Sequence, residues 1–121
     1  MQTNIDFETP ADATGEQLGE FVAALEDKLE AAMEQAVLMV QADAARNAPV
    51  DTGRLRASIE SNVERVADAV LRGEVGSNVE YAIWQEIEQR YLREAFEDNA
   101  DAIIELFETA IEEAAEEAGL A

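Results

Sequence analysis

Ala48-Pro49-Val50-Asp51-Thr52-Gly53-Arg54-Leu55-Arg56-Ala57-Ser58-Ile59 decides how this chain folds. The residue before a proline is pushed out of helical geometry, so Pro49 ends whatever helix precedes it. Asp51 or Thr52 is placed to cap a short turn, Gly53 permits a dihedral that other residues avoid, and Leu55 with Ile59 brings the chain back into a core. The segment is therefore a corner between a helix and a strand. Arg54 and Arg56 leave a short helix in different directions. One is placed to pair with acidic neighbours and the other to reach a second subunit; a purely intrachain role for both is the competing reading.

Upstream of the corner, Thr14 with Gln17 three residues on has the form of a capping box. From there Leu18, Phe21, Val22, Leu25, Leu29, Ala32, Met33, Ala36, Val37 and Val40 recur at helical spacing. The pattern predicts one amphipathic helix from Thr14 to about Arg46, roughly 50 Å long at 1.5 Å per residue. That is longer than a small domain needs, so part of it is expected to pack on another subunit. Residues 1–13, with Pro10 and Asp12, read as a flexible or docking arm, and residues 14–121 as a single domain.

Downstream, residues 58–66 and 70–77 read as two strands. Ile59 and Val63 share a face of the first, Leu71, Gly73 and Val75 share a face of the second, and 67–69 form the turn. A helical turn over 64–71 is the alternative, since short apolar patterns are ambiguous. Helices are expected over 81–88 and 91–118. In the last, Leu92, Ala95, Phe96, Ile103, Leu106, Phe107, Ala110, Ile111 and Ala114 form one stripe, and Glu94, Asp98, Asp101, Glu105, Glu108, Glu112 and Glu116 a solvated opposite face. The predicted class is α+β: a long N-terminal amphipathic helix, a small β-hairpin or antiparallel sheet, and C-terminal helices. Tyr81 and Trp84, three apart on a predicted helix, read as core anchors or as a subunit-interface hot spot.

The chain has 121 residues, 48% of them apolar, and 28 Asp plus Glu against 8 Lys plus Arg, for a formal net charge of −20. Such a surface repels itself in dilute buffer. In molar salt the Debye length falls to about 3 Å and the repulsion is largely removed. Lys28 is the single lysine, and Arg suits bidentate and interface pairing better; the balance points to a halophilic host. With neither Cys nor His, disulfide frameworks, zinc fingers, thiol nucleophiles and His-based triads are excluded. Nucleic-acid coating is disfavoured because phosphate contacts need clustered Lys and Arg. No membrane span or signal peptide is expected. Glu86 and Glu88 could be paired acids, but no partner base or nucleophile motif accompanies them. The cluster of Glu112, Glu113, Glu116 and Glu117 lacks the Asp-rich, Gly-containing loop of a calcium site. No catalytic residue, cofactor or metal is predicted.

The corner, followed after the hairpin by Val75-Gly76-Ser77-Asn78-Val79-Glu80-Tyr81-Ala82 and then Trp84 and Glu86, closely resembles the neck or tail-completion proteins of lambda-like long-tailed phages. The resemblance covers about residues 36–111. It rests on Pro49, Asp51, Thr52, Gly53, Leu55, Ser58 and Ile59 in the first block, with Arg54 and Arg56 between them. Gly76, Ser77, Asn78, Tyr81, Ala82, Trp84 and Glu86 carry the second, and Tyr91-Leu92-Arg93-Glu94-Ala95-Phe96 looks like the family's Phe-Leu-Arg-Pro-Ala helix start. The Gly-Thr loop that usually follows the Glu is missing, a shortening that could fuse the two C-terminal helices. The resemblance implies a non-enzymatic virion protein of the head-tail neck, here from a haloarchaeal tailed virus, assembled in the host cytoplasm. It implies a ring subunit, six copies suiting tail symmetry. Its partners would be neighbouring neck, head-completion and tail-terminator proteins, with viral DNA passing through the channel without specific binding; the charge balance adds the expectation that acidic residues line that channel. An acidic inhibitor or DNA mimic that binds a host nucleic-acid enzyme is the alternative function, and a small hydrolase using Glu86 or Asp51 a weaker third.

Overall fold

The computed structural model describes residues 14–49, 53–67, 70–79, 82, 86 and 90–120. Helix α1 runs over Gly15–Asn47 behind the predicted capping box. The Thr14 hydroxyl accepts from the Gln17 N–H at 3.1 Å and the Gln17 side-chain oxygen from the Thr14 N–H at 3.0 Å, which satisfies two donors that a helix start leaves open. At the other end the Ala48 N–H still donates to the Ala44 carbonyl at 2.9 Å, but its ψ of 142° is already extended, as Pro49 requires.

The short helical turn expected at the corner is present and runs as far as Ser58. Gly53, at φ 73°, opens the short helix α2, Arg54–Ser58. The Ser58 hydroxyl donates to the Leu55 carbonyl at 2.7 Å, three residues back, and so closes that turn on itself. Ser58 and Ile59 thus stand outside the strand to which sequence reading assigned them, and β1 begins two residues later, covering Glu60–Ala67. It pairs antiparallel with β2, Val70–Gly76, which excludes the helical turn considered for 64–71. Between the pairs Arg65–Leu71 and Ala67–Val70, β1 advances two residues and β2 one, so Val66 is the extra residue of a bulge. Ala67, expected in the turn, is paired in the strand; 68 and 69 lie outside the described residues.

Of the helix expected over 81–88, Ala82 and Glu86 are described, and both are helical. Arg90 donates its N–H to the Glu86 carbonyl at 2.8 Å and then takes a left-handed φ of 53°, a conformation in which a helix cannot continue. The missing Gly-Thr loop therefore does not fuse the C-terminal helices. The chain turns at Arg90, and helix α3 begins afresh over Tyr91–Glu117.

α1 and α3 pack antiparallel. Ala44 and Ala95 meet at one end in a cluster with Val40, Ala48, Leu55, Ile59, Val79, Ala82 and Tyr91. At the far end Phe21 meets Ala114, Ala115 and Ala118. Each helix is long enough to cover the other, so the length of α1 is accounted for within the chain and does not itself require a second subunit. The hairpin lies across α1. Its fit depends on Gly73, where a Cβ would stand 2.6 Å from both the Met33 sulfur and Val37 Cγ1. Met33 is flexible and can move away, but Val37 is β-branched and held by the helix. Periodicity over-predicted the core in places: Leu18, Val22 and Phe96 belong to the apolar stripes yet are 38%, 53% and 44% exposed.

Gly73→Ala should destabilise the fold by about 1–3 kcal/mol, the usual cost of overpacking. Adding Val37→Ala should recover part of that loss as a coupling energy in a double-mutant cycle of chemical denaturation; strict additivity would mean that the hairpin does not rest on Val37.

Candidate functional site

The two motif blocks, separate in sequence, meet in one place. Leu55 and Ile59 from the first are 2% and 4% exposed, and they share a cluster with Val79 and Ala82 from the second. The hydroxyls of Ser58 and Ser77 lie 2.5 Å apart, and the Ser77 hydroxyl also accepts from the Val79 N–H at 3.1 Å. Gln41 ties this junction to α1: its side-chain amide donates to the Ile59 carbonyl at 3.1 Å and its oxygen accepts from the Ser61 hydroxyl. Burying a Leu or Ile side chain contributes about 1.5–3 kcal/mol relative to leaving it exposed. The corner is thus held mainly by packing, and its hydroxyls satisfy the polar groups that the packing encloses.

Glu86 has a definite task. Its carboxylate accepts from the Leu92 N–H at 2.7 Å and the Arg93 N–H at 3.3 Å. The residue before α3, Arg90, offers no side-chain cap, so Glu86 supplies from four residues further upstream what an Asp or Ser would supply locally. Its negative charge also faces the positive end of the helix dipole. Beside it Tyr91, 1% exposed, reaches toward the Ala82 carbonyl at 3.5 Å. Burial, and after it the Glu86 carboxylate, holds the Tyr91 hydroxyl above its ordinary pKa of 10.0.

The remaining motif residues are less concentrated. The Arg56 guanidinium donates to the Arg46 carbonyl at 3.4 Å, an intrachain contact in the last turn of α1 where a cation is favoured. Arg54 is exposed and has a partner of its own. Pro49 is half-buried beside Ala48, Gly76 ends β2 opposite Glu60, and Asn78 is exposed. Leu92 packs against the junction, and Arg93 extends from its edge. Asp51, Thr52, Tyr81, Trp84 and Glu88 lie outside the described residues. On α3, Glu113 and Glu117 pair with Lys28 at 3.7 and 3.8 Å, and Glu112 and Glu116 are exposed. Among the described residues no three acidic groups converge as a metal site, and no helix is long and apolar enough to cross a membrane.

Gln41 was not singled out from sequence, and Gly73 was read only as a member of one strand face. Gln41 directly follows Val40 in the stripe of α1, and a polar residue there signals a neighbour in need of hydrogen bonds. Gly73, inside a strand, signals close approach of another backbone or side chain.

The arrangement is a packed α+β junction between a helical pair and a hairpin, bordered by open apolar surface and, beside Gly76, Ser77 and Asn78, by a shallow polar hollow lined by Glu60, Ser61, Asn62 and Glu74. Residues 12–88 match the family model described as "Bacteriophage HK97-gp10, putative tail-component", and the chain belongs to this family of phage tail components. The matched stretch contains both motif blocks and the hairpin; Leu92, Arg93 and the rest of α3 lie beyond it. No curated protein and no solved structure matches the chain.

Removing the remote cap by Glu86→Ala should cost about 1 kcal/mol, within the usual range for caps, and Glu86→Gln, which keeps an acceptor oxygen, should cost less; equal losses in thermal melts would show that the carboxylate does not cap α3. Because the hydroxyl pKa of Tyr91 is raised in the fold, its contribution is fully present below about pH 10 and is lost as pH rises toward the folded value. Tyr91→Phe should accordingly flatten the decline of stability above about pH 10, read by denaturant titration at each pH.

Proposed function

We propose that the protein is a structural subunit of the head-tail neck of a long-tailed virus, a ring component that completes the tail tube or joins it to the head. Its partners are further copies of itself, six to a ring, together with head-completion and tail-terminator proteins, and DNA passes through the channel without specific binding. On this reading residues 14–121 act as one domain, residues 1–13 as a docking arm, and the two motif blocks as the framework that fixes the interface surfaces. The virus is one of a haloarchaeal host, and the ring assembles in the host cytoplasm.

The observation that carries the reading is the family match over both motif blocks, on a chain that keeps apolar side chains on its surface. Leu38 at 59% exposure, Val22, Val66, Val70 and Phe96 lie on α1, the hairpin tip and α3, spread over more than one face as a ring subunit with two neighbours requires. The acidic faces of the helices support the halophilic part. Seven of the acidic positions on α3 form the exposed side predicted for it, and mutual repulsion there is relieved by salt.

Electron microscopy of the protein purified in molar salt should show closed rings, and antibody labelling should place the same protein at the neck of virions. A protein that stays monomeric under those conditions and is absent from virions would sink the proposal. Lowering salt from molar to about 0.1 M lengthens the Debye length to about 10 Å and should loosen or unfold the assembly. Unchanged circular dichroism and light scattering across that range would remove the halophilic reading while leaving the ring.

A further inference from the structure

Between α1, β2 and α3 lies a groove of about 420 Å³ lined chiefly by Met33, Val37, Val75, Phe96, Ile103 and Phe107, with Arg93 at its edge. Its size is that of a ligand pocket. Phe96 is 44% exposed within it, an unusual position for a large aromatic side chain in an acidic surface. Seven of the eight basic residues hold partners: Lys28, Arg46, Arg65, Arg72 and Arg90 are in ion pairs, Arg56 donates to a carbonyl, and Arg54 has a contact of its own. The Arg93 guanidinium has none among the described residues. An apolar groove with a cation at its mouth that no described residue pairs fits a short segment that alternates apolar and acidic residues.

The sequence contains such a segment before α1: Ile5-Asp6-Phe7-Glu8. In an extended strand Ile5 and Phe7 share one face and Asp6 and Glu8 the other, so the first pair can enter the groove while the second approaches Arg93. Reach decides whose groove it enters. Along α1, Met33 stands about 28 Å and Val37 about 35 Å from Thr14, at ~1.5 Å per residue. Seven extended residues from Thr14 back to Phe7 span at most about 25 Å, and nine back to Ile5 about 32 Å. Within one chain Ile5 comes level with Met33 but not Val37, and neither carboxylate reaches Arg93. Arg93 stands two residues from Ala95, which packs with Ala44 about 45 Å along α1 from Thr14, whereas eight extended residues back to Asp6 span at most about 29 Å. We infer that the N-terminal segment Ile5–Glu8 of each copy docks in the groove between α1, β2 and α3 of a second copy, with its carboxylates paired to Arg93. The inference rests on the self-assembly proposed above and identifies the contact that links neighbouring subunits.

The chain has no cysteine, so disulfide trapping reports a single introduced pair. Full-length Phe7→Cys and Phe96→Cys chains, mixed in molar salt and oxidised, should give a covalent dimer, whereas Phe7→Cys mixed with Leu38→Cys, on a different exposed surface, should not. Ile5→Asp with Phe7→Asp, which changes none of the described core residues, should weaken self-association at least about tenfold in sedimentation experiments, a difference worth about 1.4 kcal/mol. Arg93→Glu should weaken it as well, and reversing the arm's charges with Asp6→Arg and Glu8→Arg should restore it. Wild-type rings that form while the first pair fails to cross-link, or that are indifferent to the arm substitutions, overturn the docking and leave the ring standing. A cross-link confined within single chains carrying both Phe7→Cys and Phe96→Cys overturns the exchange between copies. A wild-type protein that is monomeric in molar salt overturns both readings.

Discussion

Ala44, Ala95 and Ala114 are wholly shielded from solvent, and the antiparallel contact of α1 with α3 exists because these side chains end at Cβ. Small residues let two helix backbones approach closely, and the dispersion lost with longer side chains is regained from the nearness of the helices themselves. Everything else in the fold is placed relative to that pair. The corner at 48–59 packs against its one end, Phe21 and Ala118 close the other, and the hairpin crosses α1 where Gly73 removes the last obstacle. A larger residue at any of the three alanines would spread the helices and shift the surfaces on which the corner and hairpin rest.

Close approach at the ends leaves the middle less well filled. Grooves open on both sides of the helix pair, one of them toward β2 and the other lined by Ala31, Met39, Ala102 and Leu106 with Lys28, Glu105 and Glu113 around it. An isolated monomer gains nothing from such openings, since each forgoes contacts that a filled core would make. For a subunit among neighbours they are surfaces to be covered, and this links the alanine-based packing to the assembly proposed for a tail component.

Much of the fold was legible in the sequence because its signals are local. The Thr14–Gln17 box, the stop at Pro49, the alternation of Leu71, Gly73 and Val75 and the stripe of α3 each follow from neighbours a few residues away. The departures arise where a distant partner decides. Ser58 has strand-like surroundings, yet its hydroxyl bonds to Leu55 and to Ser77, and the second of these is known only once the blocks have met. Arg90 carries no glycine signal for a left-handed turn; the turn is stabilised by Glu86, whose carboxylate reaches across it to the start of α3. Val22 and Phe96 share the helical period of the core but border hollows that the hairpin and the partner helix leave unfilled. Of the candidate interface, the motif residues could be named from sequence, but that Leu55, Ile59 and Ala82 are buried at a junction, with most of the other described ones half-buried around it, required the fold.

The two hydrophobic clusters also differ in how far along the chain their members lie. The junction cluster draws on residues 40–59 and 79–95, stretches joined by a hairpin. The far cluster joins the first helical turns to the last, and there the Gln17 side chain donates to the carbonyl of Gly119, 102 residues away. Closing a long loop costs more entropy than closing a short one, and contacts of wide sequence separation form late. The order of folding expected from this geometry is junction first and far end last, which a set of φ-values with high entries at Leu55 and low ones at Ala114 would reveal. A nascent chain would then keep its first helix unpaired at the N-terminal end until the last residues emerged, and that half of α1 would be the part most open to meeting another chain before its own.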